Sequence, residues 1–433
     1  MKVINPVDID ANAPATYSRA GTAWYWDYAG TLQSAGTNVL RFHWDKNGGS
    51  YLGVLIEGAA TNILLNNATL STQTRTVSNS TTYTLSFYGT GTVTLSGAAS
   101  GATTGTAANV RTTRTFATSS TSLTLTVSGS VTYAQLETGT VATSVISTAG
   151  AAVTRPADVI SGYGTFYNSY TDATAAYNAG TAYALADVIQ YAGRLYESLQ
   201  AANTGNTPDA SPVWWLDTGP NNVTAAFDGQ VGTVATGNAQ EETLCLRLSE
   251  NADGLCLFGL TSVSYVHAII GSGLLTGQQV LYKSGYPTHA VLQTTTDAAG
   301  NIMTITLNSG SAFVFPGVGE IIVGDLVQIG ETSYGAGLAL IDYSRKTTDE
   351  FGVTTFVERP YAKRLTVETM VDKADFNTVT ELLFSLRATP TVWIADDDTD
   401  YSSAITYGFL RDMRAVIAYP TASLYSLEIE GLT

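Results

Sequence analysis

Apolar and polar residues alternate with a period of two along most of this 433-residue chain, the pattern of strands that turn one face to a core and the other to water. Tyr83, Leu85 and Phe87 alternate with Thr and Ser, and the pairs and triplets Val93/Leu95 and Leu123/Leu125/Val127 repeat the rhythm. Residues 1–160 therefore predict a β-sandwich. Ala98 to Thr106 contains only Gly, Ala, Ser and Thr, and reads as a mobile loop.

A second strand-rich region follows at 222–332. Leu244, Leu246 and Leu248 alternate, Leu255 to Leu260 is an apolar run, and Ile302, Thr304 and Thr306 alternate against Met303, Ile305 and Leu307. Another sandwich, of jelly-roll type, is the economical expectation. The glycines around Gly317 lack the strand-then-helix context of a phosphate loop. From 333 to 433 the pattern changes once. Leu365, Val367, Thr369 and Val371 predict a strand, after which Asp372 is placed to cap a helix whose apolar residues Phe376, Val379, Leu382, Leu383 and Leu386 share one side before Pro390. Strands return at 391–395, 404–409, 413–419 and 424–430. The fold class is thus all-β and multi-domain, with one helix near the C-terminus.

Composition supports that reading, since only 13% of residues are charged and Thr, Ser, Gly and Ala dominate. The net charge of −16 comes without any Lys/Arg cluster, which argues against nucleic acid as a partner. The N-terminal residues carry no apolar run of signal-peptide length, and no segment approaches a membrane span; synthesis in the cytoplasm without membrane insertion is expected. Cys245 and Cys256 flank a turn-like segment, Ser249 to Gly254. Paired as a hairpin, those flanks would set Cys256 opposite Arg247 and only diagonal to Cys245, so both read as buried free thiols.

Between the two strand-rich regions, Tyr177, Tyr183, Tyr191, Tyr196, Trp214 and Trp215 crowd into a short piece, 161–221, punctuated by Gly and Asn. So small a piece is expected to leave some rings in solvent, where flat aromatic faces suit sugar rings; a miniature core is the alternative. The order Tyr183-Ala-Leu-Ala-Asp-Val-Ile-Gln-Tyr191, Gly193-Arg-Leu-Tyr196-Glu, Val213-Trp-Trp-Leu-Asp-Thr-Gly219 resembles the small chitin- and cellulose-binding modules of bacterial glycosidases. That resemblance implies structural roles for Tyr191, Leu195 and Trp215, and leaves Trp214, Tyr196 and Tyr183 as candidate carbohydrate-stacking residues.

Two further resemblances concern the flanking regions. Ala15-Thr-Tyr-Ser-Arg-Ala-Gly, Gly53-Val-Leu-Ile-Glu-Gly-Ala-Ala-Thr-Asn, Ala134-Gln-Leu-Glu-Thr-Gly-Thr-Val-Ala-Thr-Ser144 and Thr154-Arg-Pro-Ala-Asp-Val159 occur in that order, and together resemble the lectin-like sandwich of bacteriophage and prophage tail and fibre proteins. Gln135, Glu137 and Thr143 would either line a glycan groove or cap a loop. The C-terminal order Glu358-Arg-Pro-Tyr-Ala-Lys-Arg, strand, helix, Thr391-Val-Trp-Ile, Tyr407-Gly-Phe-Leu-Arg and Leu427-Glu-Ile-Glu resembles the closing domain of tail-tip or baseplate proteins of long-tailed phages. The implied function is a structural virion protein of the tail tip or baseplate, homo-oligomeric, docked on other tail proteins and binding host-surface glycan. A secreted glycan-binding or glycan-hydrolysing protein and a purely architectural tail protein are the alternatives.

No pattern demands catalysis. His43, His267 and His289 are far apart in sequence and match no metal-ligand spacing. Asp396, Asp397, Asp398 and Asp400 form the densest acidic run; oxygen-rich loops hold Ca²⁺, yet the spacing lacks the pattern and central Gly of an EF-hand, and a solvated turn is the better reading of Asp396, Asp398 and Asp400. A non-enzymatic protein without cofactor is expected.

Overall fold

The computed structural model describes residues 1–7, 9, 15–47, 51–270, 273–276, 288–294, 300–348, 350–359, 361–396 and 399–432. The architecture is all-β with several sheets, and among the described residues the only α-helix is Phe376–Ser385. The chain divides into two compact units, Thr16–Ser161 and Met1–Ala15 with Gly162–Thr433. One division falls between Ser161 and Gly162, and the first fifteen residues belong to the same unit as Gly162–Thr433.

In the unit Thr16–Ser161, one sheet orders Gly101–Thr104, Thr92–Gly97, Ser122–Ser128 and Gln73–Thr76, and another orders Ala107–Ala117, Thr82–Gly89 and Thr132–Thr138. Leu85, Phe87 and Leu136 from the second sheet meet Val93, Leu95, Leu123 and Leu125 from the first in one core, which makes the pair a sandwich. Two expectations need correction. The strand Thr82–Gly89 is central, and its polar face is buried too: Thr84 donates to the Gly139 carbonyl, and Arg111 donates to Ser86. The stretch 98–106 is not a loop throughout, because Gly101–Thr104 pairs with Thr92–Gly97 and the hydroxyls of Thr92 and Thr104 lie 2.9 Å apart. Backbone pairing requires no apolar side chain, and β-branched Thr suits a pleated edge.

The other unit contains a 15-stranded sheet. Its first part runs Gly164–Asn168, Glu241–Ala252, Gly300–Asn308, Tyr265–Ile270, Gly273–Thr276, Thr288–Thr294, Gly254–Leu260, Glu320–Gln328, and its inward residues, Leu244, Leu246, Leu257, Ile305 and Val323 among them, form a single cluster. This is one curled sheet around its own core rather than a jelly roll of two. The last part runs Thr391–Ile394, Ile405–Val416, Ala422–Gly431, Tyr361–Asp372, with Val379 and Leu383 of the helix covering Val367, Trp393 and Leu427. The N-terminal strand Lys2–Pro6 joins the two parts, pairing antiparallel with Glu320–Gln328 on one side and with Thr391–Ile394 on the other. A break at 332/333 is therefore corrected: one ladder crosses it. The approach is close, since a Cβ on Gly324 would stand 2.0 Å from the Asn5 carbonyl oxygen.

The cysteine flanks do not form a hairpin. Glu241–Ala252 pairs with Gly300–Asn308, whereas Gly254–Leu260 pairs with Thr288–Thr294 and Glu320–Gln328. Cys245 and Cys256 are nonetheless free and buried, and burial pushes the Cys245 thiol up to about 12. The helix begins later than expected: Asp375, not Asp372, is the N-cap, and its side chain makes no capping bond.

Candidate functional site

The aromatic piece folds as a three-stranded sheet, Val188–Tyr191, Arg194–Ser198 and Trp215–Pro220. Ala192 and Gly193, with φ of 47° and 77°, make the two-residue turn between the first pair, the geometry that matches strand twist in tight hairpins. Trp215 points inward, and its Nε1 donates to the Asn206 carbonyl at 2.8 Å. Tyr183 packs edge-on to Trp215 at 5.2 Å between ring centroids, and stacks on Tyr177 at 6.0 Å. Its hydroxyl is tied at both ends to the backbone of Asn178.

This places the expected stacking residues differently from the sequence reading. Tyr183 and Tyr196 are only 7% and 6% exposed, so they are core, together with Ile189 and Trp215. The module solves its burial problem by edge-to-face packing, which lets Tyr177, Tyr191 and Trp214 close the rim while half-buried. Of the three candidates, Trp214 alone keeps partial access to solvent. The outward face of the sheet is aliphatic, with exposed Val188 and Leu216 paired across Glu197. Arg194 and Asp217 form a half-exposed ion pair at 2.6 Å, and the Arg194 hydrogen bond holds the Asp217 carboxyl below its usual range.

The lectin-like phrases, distant in sequence, meet in one buried polar knot. Asp158 accepts from Tyr17 at 2.6 Å, from Arg19 at 3.1 Å and from Arg41 at 2.6 Å. Glu57 pairs with Arg41 at 2.9 Å and with Arg155, and accepts from the backbone and hydroxyl of Ser144. Burial pushes the Asp158 and Glu57 carboxyls up, but guanidiniums and hydrogen bonds outweigh it and both lie below the usual range. Gln135 and Glu137 are buried and, with Thr143, cap a loop: Gln135 donates to Glu137 and to the Thr143 carbonyl, and Thr143 donates to Glu137 from its backbone at 3.1 Å. His43 lies beside the knot. Burial pushes it down to about 4, and its Nδ1 accepts from the Trp26 backbone, so the ring is neutral at physiological pH.

Two aromatic groups beside this knot carried no signal beyond the presence of Trp and Tyr in short strands. Lys46 Nζ sits over Trp26 and Tyr88 at 5.3 Å each and over Tyr133 at 5.7 Å, and donates to Asn109 at 2.8 Å. That cage pins the hairpin Phe42–Trp44/Tyr51–Val54 to the sandwich. Nearby, Tyr28 is 72% exposed and lies 6.5 Å from Trp44, with Asp27 and Gln33 joined by a hydrogen bond at 2.8 Å on the same turn. Exposed rings flanked by an amide and a carboxylate can stack on a sugar and bind its hydroxyls. Of the acidic run, Asp396 is exposed, Asp398 lies outside the described residues, and only the backbone of Asp400 is described, in the turn Thr399–Ala404. Among the described residues no group of three His, Cys, Asp or Glu side chains could hold a metal ion, and no helix is long and apolar enough to cross a membrane.

Comparison with known proteins leaves the chain without an assigned family. No protein-family model matches it, and no curated protein does. Among solved structures, a GH78 family rhamnosidase of Bacillus sp. GL1 aligns over 79% of this chain at 8% identity with a TM-score of 0.18. The chain spans 35% of the length of that rhamnosidase, and the likeness is too low to carry an argument about fold or activity.

Proposed function

We propose that this chain is a structural, non-catalytic protein of a long-tailed bacteriophage tail tip or baseplate, and that it contacts host-surface glycan. One observation carries the reading. Arg19, Glu57, Ser144, Arg155 and Asp158 come from the four separate phrases that resemble the lectin-like tail module, and they close on one another in a single hydrogen-bonded knot. The phrases are thus parts of one folded unit. The glycan contact falls to the exposed Tyr28 and half-buried Trp44, because burial removes Tyr183 and Tyr196 from the small module's surface. That burial favours a spacer role for the small module itself.

Immunogold labelling and mass spectrometry of purified phage particles test the assignment: the protein is expected on the tail, and particles without it would overturn the reading. In particles that carry the protein, the double change Tyr28→Ala/Trp44→Ala is expected to lower adsorption to host cells about fivefold or more, since each stacked ring is worth on the order of 1 kcal/mol. Unchanged adsorption would leave the tail assignment standing and remove the glycan contact from this pair.

A further inference from the structure

The strand Gly337–Asp342 and the hairpin Arg345–Thr348/Thr354–Val357 bury almost none of their own surface. Every described residue from 337 to 359 is exposed except Ile341 and Ser344. Leu340 and Phe356 leave 61% and 70% of their surface in water, and Leu338, Tyr343 and Val357 are exposed as well. Arg345 pairs with Val357 and Lys346 with Phe356, so Val357 and Phe356 lie on opposite faces of the ribbon, and neither face is covered. The ribbon is held by its own ladder, by the Thr348 and Thr354 hydroxyls at 3.0 Å, and by Lys346 over the Phe356 ring at 5.9 Å. A two-stranded ribbon that buries no face is marginal, because ordering each residue costs about 1–2 kcal/mol and no apolar burial offsets it.

We propose that residues 337–359 are an assembly arm that packs on a second copy of this chain, with Gly337–Asp342 as the strand it offers for pairing. Gly337–Asp342 joins the large sheet only through Tyr361–Asp372 and is an edge among the described residues, open to addition of a strand. Area and charge point to a copy as the occupant. The exposed aromatic and aliphatic side chains of the arm present on the order of 1,000 Å², comparable to the ~800 Å² that each partner contributes to a stable interface. The chain carries a net −16, yet residues 337–359 hold three basic and four acidic side chains, so the arm brings little net charge of its own to a contact between two copies. Arg345 and Lys346 on one strand and Glu358 beyond the other offer both signs to a like arm.

The proposal is independent of the tail assignment, since it is read on purified full-length protein and not on particles. Sedimentation velocity over about 1–100 µM should show a concentration-dependent multimer, and Leu338→Lys/Leu340→Lys/Phe356→Glu should sediment as a monomer with an unchanged circular-dichroism spectrum. Phe356→Glu alone changes only the ribbon and should still weaken association about tenfold. Limited proteolysis should cut between 345 and 357 in the triple variant and spare the wild type. A wild-type chain that stays monomeric over the whole range, or a triple variant that keeps the wild-type mass, would overturn the proposal, including the case in which the arm instead docks on a different protein.

Discussion

Among single residues, Glu320 is the clearest lever on stability. It is buried against Phe258 and Tyr407, accepts a hydrogen bond from the Gly229 backbone at 2.8 Å, and faces Asp228; burial pushes its carboxyl up to about 8. A carboxyl whose folded value is raised stabilises the fold fully below its unfolded value near 4.5, and that contribution is lost as the pH rises through the folded value. His43 and His289, both pushed down to about 4 by burial, act in the opposite direction, but their contribution is complete above about 6.5. Between about pH 6.5 and 8 the wild type should therefore lose roughly 1–2 kcal/mol in urea unfolding, and Glu320→Gln, which keeps the acceptor for Gly229, should stay flat. A variant that loses stability as steeply as the wild type would contradict this.

At the scale of elements, the small module shows where sequence periodicity ends. Residue order suggested a short aromatic-rich strand module, but it could not show that Tyr183 and Tyr196 close over Trp215, nor that Trp214, which precedes the strand Trp215–Pro220, packs on the rim of the same core. That closure depends on Asn178 gripping the Tyr183 hydroxyl and Asn203 pairing with its backbone, contacts that run from loop to strand. Trp215→Ala and Tyr183→Ala should each cost about 3–5 kcal/mol, read as accelerated amide exchange in Val188–Tyr191. Trp214→Ala should cost less than half as much. Equal effects of the two Trp changes would show that the rim ring is core after all. The same limit applies to Thr84 and Ser86, whose polar side chains promised a solvent face and instead sit beneath neighbours in a central strand.

For the whole molecule, the sequence announced the strands and the helix near the C-terminus, because these follow from local alternation and composition. It did not announce that Lys2–Pro6 crosses to the far unit, since pairing across more than three hundred residues leaves no local mark. Nor did it mark the final strand as interior: Ala422–Gly431 lies between Tyr361–Asp372 and Ile405–Val416. Thr16 pairs with Ser161, and a Cβ on Gly162 would lie 3.7 Å from the Ala15 Cα, so the unit Thr16–Ser161 leaves the chain where it began. Residues 16–161 alone should then unfold cooperatively, and residues 1–15 joined to 162–433 by a two-residue linker should also fold. Residues 162–433 alone should be more protease-sensitive, because Glu320–Gln328 and Thr391–Ile394 then lose the strand that hydrogen-bonds to both, leaving side-chain packing such as Phe258 on Tyr407 to join the two parts. Equal protease resistance of that fragment with and without residues 1–15 would refute the bridging role.

The bridging strand also orders events in time. Lys2–Pro6 is made before both of its neighbours, which end at Gln328 and Ile394, and at about 5–20 residues per second they follow roughly 20–80 s later. The inserted unit can fold during that interval, since it needs nothing made after Ser161. Meanwhile Val3 and Ile4, both fully buried in the folded unit, wait in water, so the nascent chain presents them to chaperones until Ile394 has been made. Slow codons anywhere before Thr391 would lengthen that exposure, and those just after Ser161 would in addition give the inserted unit more time.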